Sequence, residues 1–280
     1  MNESKVVMQA GCSPDPDDVF MFYGFEKGLV ETPFRIEPRY EDIQTLNRKA
    51  LDGVYEISAI SAYMYPFVCH RYALLAAGAS VGRGYGPVIV ANRRYDADDL
   101  RKLSVAIPGR FTTSYLLCRM YLPAFKEIEM PFEDVVPALM DRDVDCALLI
   151  HEAQITYREL GFYKVVSLYD LWHGSTGLPL PLGLEAVRLA EADRWGRAIN
   201  DALVLSIELA KRDFEPAMEH AISHRQTGLA PAQGRRYLEM YVNDDTLGMP
   251  ADVRKALEMM YTTAHELGLI PEVPPLRIVE

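Results

Sequence analysis

Five uncharged residues, Cys146-Ala147-Leu148-Leu149-Ile150, run straight into His151-Glu152. A short continuous apolar run of this kind reads as a strand covered on both faces, so a parallel strand is expected over residues 145–150. In open α/β sheets the chemistry lies just beyond the carboxyl ends of such strands. An imidazole is the side chain that changes protonation near neutral pH, which makes His151 a candidate general base. The same ring could also do no more than cap the strand by bonding a backbone carbonyl.

A second group of residues suits ligand binding. Pro108-Gly109-Arg110-Phe111-Thr112-Thr113-Ser114 has the order of a strand end, a glycine turn and hydroxyls opening a helix. The first N–H groups of a helix have no internal partner, so beside Thr112, Thr113 and Ser114 they can hold a carboxylate or a hydroxyl-rich ligand. Ordinary capping explains the same residue types. Ser61 follows the apolar residues 57–60 and sets another hydroxyl at a strand end, with Tyr63 and Tyr65 close behind.

Ser13-Pro14-Asp15-Pro16-Asp17-Asp18 joins the first expected strand to the first helix. Its three carboxylates lack the spacing of a calcium loop, and acids are favoured at helix starts in any case. The reading is capping and cleft shaping, with Asp15 and Asp18 as candidate ligand-binding residues and no metal. His220 and His224 would share one helix face, but no third zinc ligand is evident and a solvated face is expected. His173, in a loop with Trp172 and Ser175, carries little weight.

These residues need a scaffold, and the pattern supplies one. Strands are expected over 6–10, 34–40, 57–60, 88–91 and 103–107, with helices over 19–27, 43–51, 112–121 and 132–140. Asp17 or Asp18 would cap the first helix. Beyond residue 191 only helical periodicity is read, over 195–211, 214–225, 231–241 and 252–267. Glycine- and proline-rich stretches at 78–87 and 176–183 look like flexible connectors. The first is no dinucleotide fingerprint, because a strand follows where a helix is required. Two crossings with an α/β unit between them suggest two hinged lobes, one of residues 1–91 plus 182–280 and an inserted one of residues 92–181.

Composition narrows the partners. The chain has 280 residues and a formal net charge of −11, which argues against nucleic acid and anionic membrane surfaces. Cys12, Cys69, Cys118 and Cys146 form no C-x-x-C pair and read as free thiols in a reducing compartment. Residues 5–10 are too short for the apolar core of a signal peptide and read as a strand. No run approaches a membrane span, so a cytoplasmic protein is expected.

Several of these motifs recur together elsewhere. Ser13-Pro14-x-Pro16 through Phe20, Glu41-Asp42-Ile43-Gln44-Thr45-Leu46-Asn47, Gly82-Arg83-Gly84-Tyr85-Gly86-Pro87, Pro108-Gly109-Arg110-x-Thr112-Thr113, Ile150-His151-Glu152, residues 176–183 and Tyr241-Val242-Asn243 occur in this order along nearly the whole chain. The chain thereby resembles the 1,4-dihydroxy-6-naphthoate synthases of the futalosine route to menaquinone. The resemblance implies a periplasmic-binding-protein-like fold of type 2 and a small-molecule carboxylate substrate between the lobes. It implies His151 as general base in carbon–carbon cleavage of cyclic dehypoxanthinyl futalosine, with no cofactor. Typical members carry Cys, Asn and Thr where Asp15, Asp17 and Val19 stand, and a lysine where Ala59 stands. Those departures leave open a non-catalytic binding protein, or a paralogue acting on another ligand such as chorismate.

Overall fold

The computed structural model of the chain describes residues 5–224 and 229–280. Its strands, in chain order, are β1 (Val6–Cys12), β2 (Phe34–Tyr40), β3 (Ile57–Ser61), β4 (Tyr72–Leu75), β5 (Ser80–Gly82), β6 (Val88–Ala91), β7 (Ser104–Ile107), β8 (Lys126–Glu129), β9 (Cys146–Leu149), β10 (Tyr163–Ser167), β11 (Leu180–Arg188) and β12 (Ile278–Val279). Among the described residues they form two sheets. One runs β12-β4-β11-β3-β1-β2 with β5 also on β11, and the other runs β10-β6-β9-β7-β8. The fold is mixed α/β with two sheets joined by two crossings and a helical C-terminal region.

The apolar run before His151 is β9, and all four of its residues are buried. It is parallel to β7 on one side, as expected, and antiparallel to β6 on the other. β1 is parallel to both β2 and β3. The carboxyl ends of β1, β3, β7 and β9 therefore lead into the four motifs singled out above: Ser13–Asp18, Ser61, Pro108–Ser114 and His151.

The two glycine- and proline-rich stretches differ from expectation. The first contains β5 and the second opens β11, and the two crossings pair with each other, Leu180 opposite Gly82 and Gly183 opposite Ser80. Each supplies the backbone partners the other needs, which neither stretch reveals alone. Arg83 further anchors the first crossing through a two-pronged bond to Asp245, with Nε–Oδ2 at 2.6 Å and Nη2–Oδ1 at 2.9 Å.

The first helix also departs from expectation. It begins at Pro16 rather than at 19, because proline at the first helical position has a preset φ and no N–H to satisfy. Asp15 is the N-cap, so Asp17 and Asp18 lie in the first turn and not at the cap. The helix stops at Met21 and a separate turn, Tyr23–Glu26, follows. Ser206 causes the break: its Oγ donates to the Met21 carbonyl at 2.6 Å and accepts from the Gly24 amide at 3.0 Å. A hydroxyl inserted into the helical ladder replaces its internal bonds.

Ser206 comes from Leu189–Arg212, a 24-residue helix whose buried Ile199, Leu203, Ile207 and Ala210 follow helical spacing. That stripe packs with Ala73, Leu75 and Val187 of the first sheet. The helix expected over 214–225 is Phe214–His224, and Arg225 lies outside the described residues. Cys118 and Cys146 are buried free thiols, as expected. Among the described residues no helix is long and apolar enough to cross a membrane.

Candidate active site

A cleft with about 650 Å³ of atom-free space, part of it open to solvent, lies between the first sheet and the loops and helix starts that follow β7 and β9. Ser13, Asp17, Asp18, Ser61, Thr112, Thr113, Ser114 and His151 all line it. The strand ends gather these groups although they lie up to 138 positions apart (151 − 13).

His151 stands two residues past β9 in the left-handed region, at φ +50°. Histidine tolerates that conformation better than bulkier residues, at a cost of order 1–3 kcal/mol. The bend carries the ring out of the strand's path. Its side chain is 18% exposed, and Nε2 lies 3.3 Å from Asp15 Oδ2. The Phe132 ring meets the imidazole edge to face, with centroids 5.4 Å apart. Asp15 is not on the cavity wall. It sits behind the ring, where its Oδ2 also accepts from the Ser13 hydroxyl.

The hydroxyl array opens the nine-residue helix Thr113–Tyr121. Thr112 caps it, accepting from the Tyr115 amide at 3.2 Å, and its Oγ1 lies 2.8 Å from Ser114 Oγ. Thr113 Oγ1 donates to the Leu182 carbonyl at 2.7 Å and accepts from the Tyr63 amide at 3.2 Å. Thr113 thus ties the second sheet's helix to the turn after β3 and to β11, while Thr112 and Ser114 form the pair nearest the helix start. Gly109 allows the approach to the helix Ile43–Asp52, since a Cβ added there would lie 2.3 Å from Gln44 Oε1.

Asn47, on that same helix, organises the array from beneath. It is fully buried, its Nδ2 donates to Ser61 Oγ at 3.0 Å, and its Oδ1 accepts from the Ser61 amide at 2.9 Å. The same Nδ2 reaches the Phe111 carbonyl at 3.3 Å. Asn47→Ala removes these bonds and leaves buried groups unpaired, which costs about 2 kcal/mol. Urea unfolding should show that loss, and KM should rise; unchanged stability would mean these bonds are not formed in solution.

Acidic groups line the opposite part of the cleft. Asp17 accepts from Tyr237 at 2.9 Å and from Ser80 at 3.1 Å, and Asp18 accepts from the Ser13 amide at 2.6 Å. Glu185 of β11 joins them, 1% exposed. Burial raises the Asp17 pKa, partly offset by the His151 charge. Burial and then the Asp17 charge hold Asp18 well above the ordinary carboxyl range. Burial followed by Asp18 and Asp17 does the same for Glu185.

The sequence did not point to Glu185, Gln154 or Tyr237, and it offered Asn47 only as the end of the Glu41–Asn47 motif, with no role. Gln154, three residues past His151, donates from Nε2 to the Tyr241 hydroxyl and lines the cleft with it. Tyr237 and Tyr241 stack at 4.4 Å on one helix face, and their i, i+4 spacing was the available signal. His173 stacks on Tyr169 away from the cleft. His220 is half-buried rather than solvated, with Nε2 on Glu26 and Nδ1 3.4 Å from Lys27 Nζ. Among the described residues no group of three or more His, Cys, Asp or Glu could hold a metal ion.

The profile of a menaquinone-biosynthesis family matches residues 8–266. The chain belongs to that menaquinone-biosynthesis family. A 1,4-dihydroxy-6-naphthoate synthase of Thermus thermophilus is 35% identical over 267 residues, 95% of this chain and 97% of that protein. The crystal structure of a protein from Archaeoglobus fulgidus is 42% identical, covers 94% of this chain and 98% of its own, and superposes with a TM-score of 0.90. The alkanesulfonate-binding protein of Xanthomonas axonopodis pv. citri superposes with a TM-score of 0.74 at 13% identity over 99% of both chains. That last likeness carries the fold alone: the menaquinone-biosynthesis chain has the periplasmic-binding-protein-like architecture.

Proposed function

We propose that this chain is a 1,4-dihydroxy-6-naphthoate synthase, a carbon–carbon lyase acting on cyclic dehypoxanthinyl futalosine in menaquinone biosynthesis. His151 removes a hydroxyl proton from the sugar-derived part, carbon–carbon cleavage follows, and the naphthoate ring aromatises. Aromatisation supplies driving force, so the protein's task is to position the substrate and provide one base. The observation that carries the reading is His151 in one cleft with the Ser61, Thr112 and Ser114 hydroxyls.

In this reading Asp15, 3.3 Å from Nε2, stabilises the positive charge the ring acquires with the proton. Ser114, Thr112 and Ser61 receive the substrate carboxylate beside the free amides of the helix start, while the Thr113 hydroxyl, committed to the Leu182 carbonyl, holds that helix in place. Asp18 faces the uncharged part of the substrate. The step requires no metal and no redox cofactor, and we read the enzyme as cytoplasmic.

Incubation of the purified protein with cyclic dehypoxanthinyl futalosine should yield 1,4-dihydroxy-6-naphthoate, followed by mass spectrometry. Tight binding of that compound with no product at high enzyme loading would establish a binding protein instead. Dehydration of chorismate in a parallel incubation would mark a paralogue.

A further inference from the structure

Glu185 is a carboxyl that the proposed reaction does not use. It is 1% exposed, it lines the cleft, and among the described residues its Oε2 meets no hydrogen-bond partner. β11 sets it opposite Ala59 of β3, two residues along the ladder from the Gly183–Ser61 pair. That spacing is about 7 Å, within the length of one small ligand. The backbone makes room for it: Gly78 has φ +87°, and a Cβ added there would lie 2.3 Å from Glu185 Cγ.

The neighbouring acids differ from Glu185. Asp17 accepts from Tyr237 and Ser80, and Asp18 accepts from the Ser13 amide. Glu185 keeps an oxygen without a partner, and β11 turns the side chain toward the cavity. A buried anion in that position, with Asp17 and Asp18 beside it, would be strongly disfavoured. The neutral acid form has an O–H to give, and a ligand oxygen in the cleft is its natural acceptor. A second anionic group at this end would meet three carboxyls, so the cleft is polarised between hydroxyl donors and acids.

We propose that Glu185 is a further substrate-binding residue, which donates its carboxylic-acid proton in a hydrogen bond to an uncharged oxygen of the ligand's sugar-derived part. The ligand carboxylate then points toward Ser61 and the Thr112–Ser114 helix start. This inference rests on reading the cleft as the naphthoate synthase site. It adds the orientation of the substrate and a preference for a hydroxyl, ether or carbonyl oxygen over an anion at the β11 end.

The test uses the full chain carrying His151→Asn, so that cyclic dehypoxanthinyl futalosine binds without being consumed. Calorimetry then compares this parent with added Glu185→Gln and Glu185→Leu. Gln keeps an uncharged donor and should hold Kd within about three-fold, whereas Leu should weaken it by about ten-fold or more, the loss of one buried hydrogen bond. The infrared difference between the parent and its Glu185→Gln form should show the carbonyl stretch of a protonated carboxyl. That band should move to lower frequency when the ligand binds.

An ionised carboxylate signature at pH 7, a band that ignores the ligand, or a Leu variant binding as tightly as the parent would each overturn the proposal. If the Leu variant fails to fold, the infrared band and the Gln variant decide. Ligand binding without product from the His151-bearing enzyme would refute the proposed reaction while the Glu185 comparison still stands. No binding at all would overturn both.

Discussion

His151→Asn should lower kcat for cyclic dehypoxanthinyl futalosine by about 100- to 10,000-fold, the usual contribution of a positioned general base. Substrate Kd should stay within about three-fold, because the ring acts on the proton and the hydroxyl array holds the carboxylate. Asparagine is the informative replacement. Residue 151 sits at φ +50°, and a short polar side chain adopts that region with little strain. Loss of activity would then report the missing base and not a displaced loop. Asp15→Asn should leave the ring in place and lower kcat by a smaller factor, since the charge opposite Nε2 is removed. Full turnover by the His151→Asn enzyme would remove the imidazole from the mechanism.

The acids of the cleft should make the unliganded protein less stable as pH rises above the ordinary carboxyl range. Asp17, Asp18 and Glu185 all have raised pKa values in the fold, chiefly through burial. In the unfolded chain such groups release their protons near pH 4. Above that pH the folded state holds more protons than the unfolded state, so stability falls with rising pH until the folded groups have ionised. Stability is recovered as pH is lowered back toward about 4. The charges of His151 and Asp15 also act on Asp17, the first opposing and the second reinforcing the trend.

Glu185→Gln should therefore raise the melting temperature at pH 8 and flatten its pH dependence. Glutamine cannot ionise, so unfolding no longer gains the free energy of releasing that proton; about 1 kcal/mol of such a gain corresponds to roughly 2–4 °C for a chain of this size. The gain should shrink as pH is lowered toward the ordinary carboxyl range, where the folded and unfolded chains come to hold the same proton. A melting curve for Glu185→Gln at or below wild type throughout pH 5–9 would show that the carboxyl is not under strain. A stabilised variant would place this residue among those that sacrifice stability to serve a site.

Much of the site was legible in the sequence, and the reason is local. An uncharged run ending in a histidine defines a buried strand with a ring at its tip, whatever lies elsewhere in the chain. A glycine turn followed by Thr112, Thr113 and Ser114 defines a capped helix start. The helices beyond residue 191 follow from 3.6-residue periodicity, which needs no partner to be seen. The ordered motifs from Ser13 to Asn243 carried the family likeness as well.

Other features required long-range partners. β8 contains Lys126, Glu127 and Glu129 and has no apolar alternation; its pairing with β7 makes it a strand. β11 hides behind Pro181 and Gly183, and its pairing with β5 was invisible in either stretch. The interruption after Met21 comes from a hydroxyl 185 positions away. Tyr237 reaches Asp17 across 220 positions. The sequence by itself determined which residues stand at strand ends and helix starts, because those are decided within a few neighbours. Only the tertiary structure decided which acids are buried together, which lacks a partner and which carboxylate stands behind the imidazole. Desolvation and hydrogen-bond satisfaction depend on every group packed around an atom, and here those groups come from all parts of the chain.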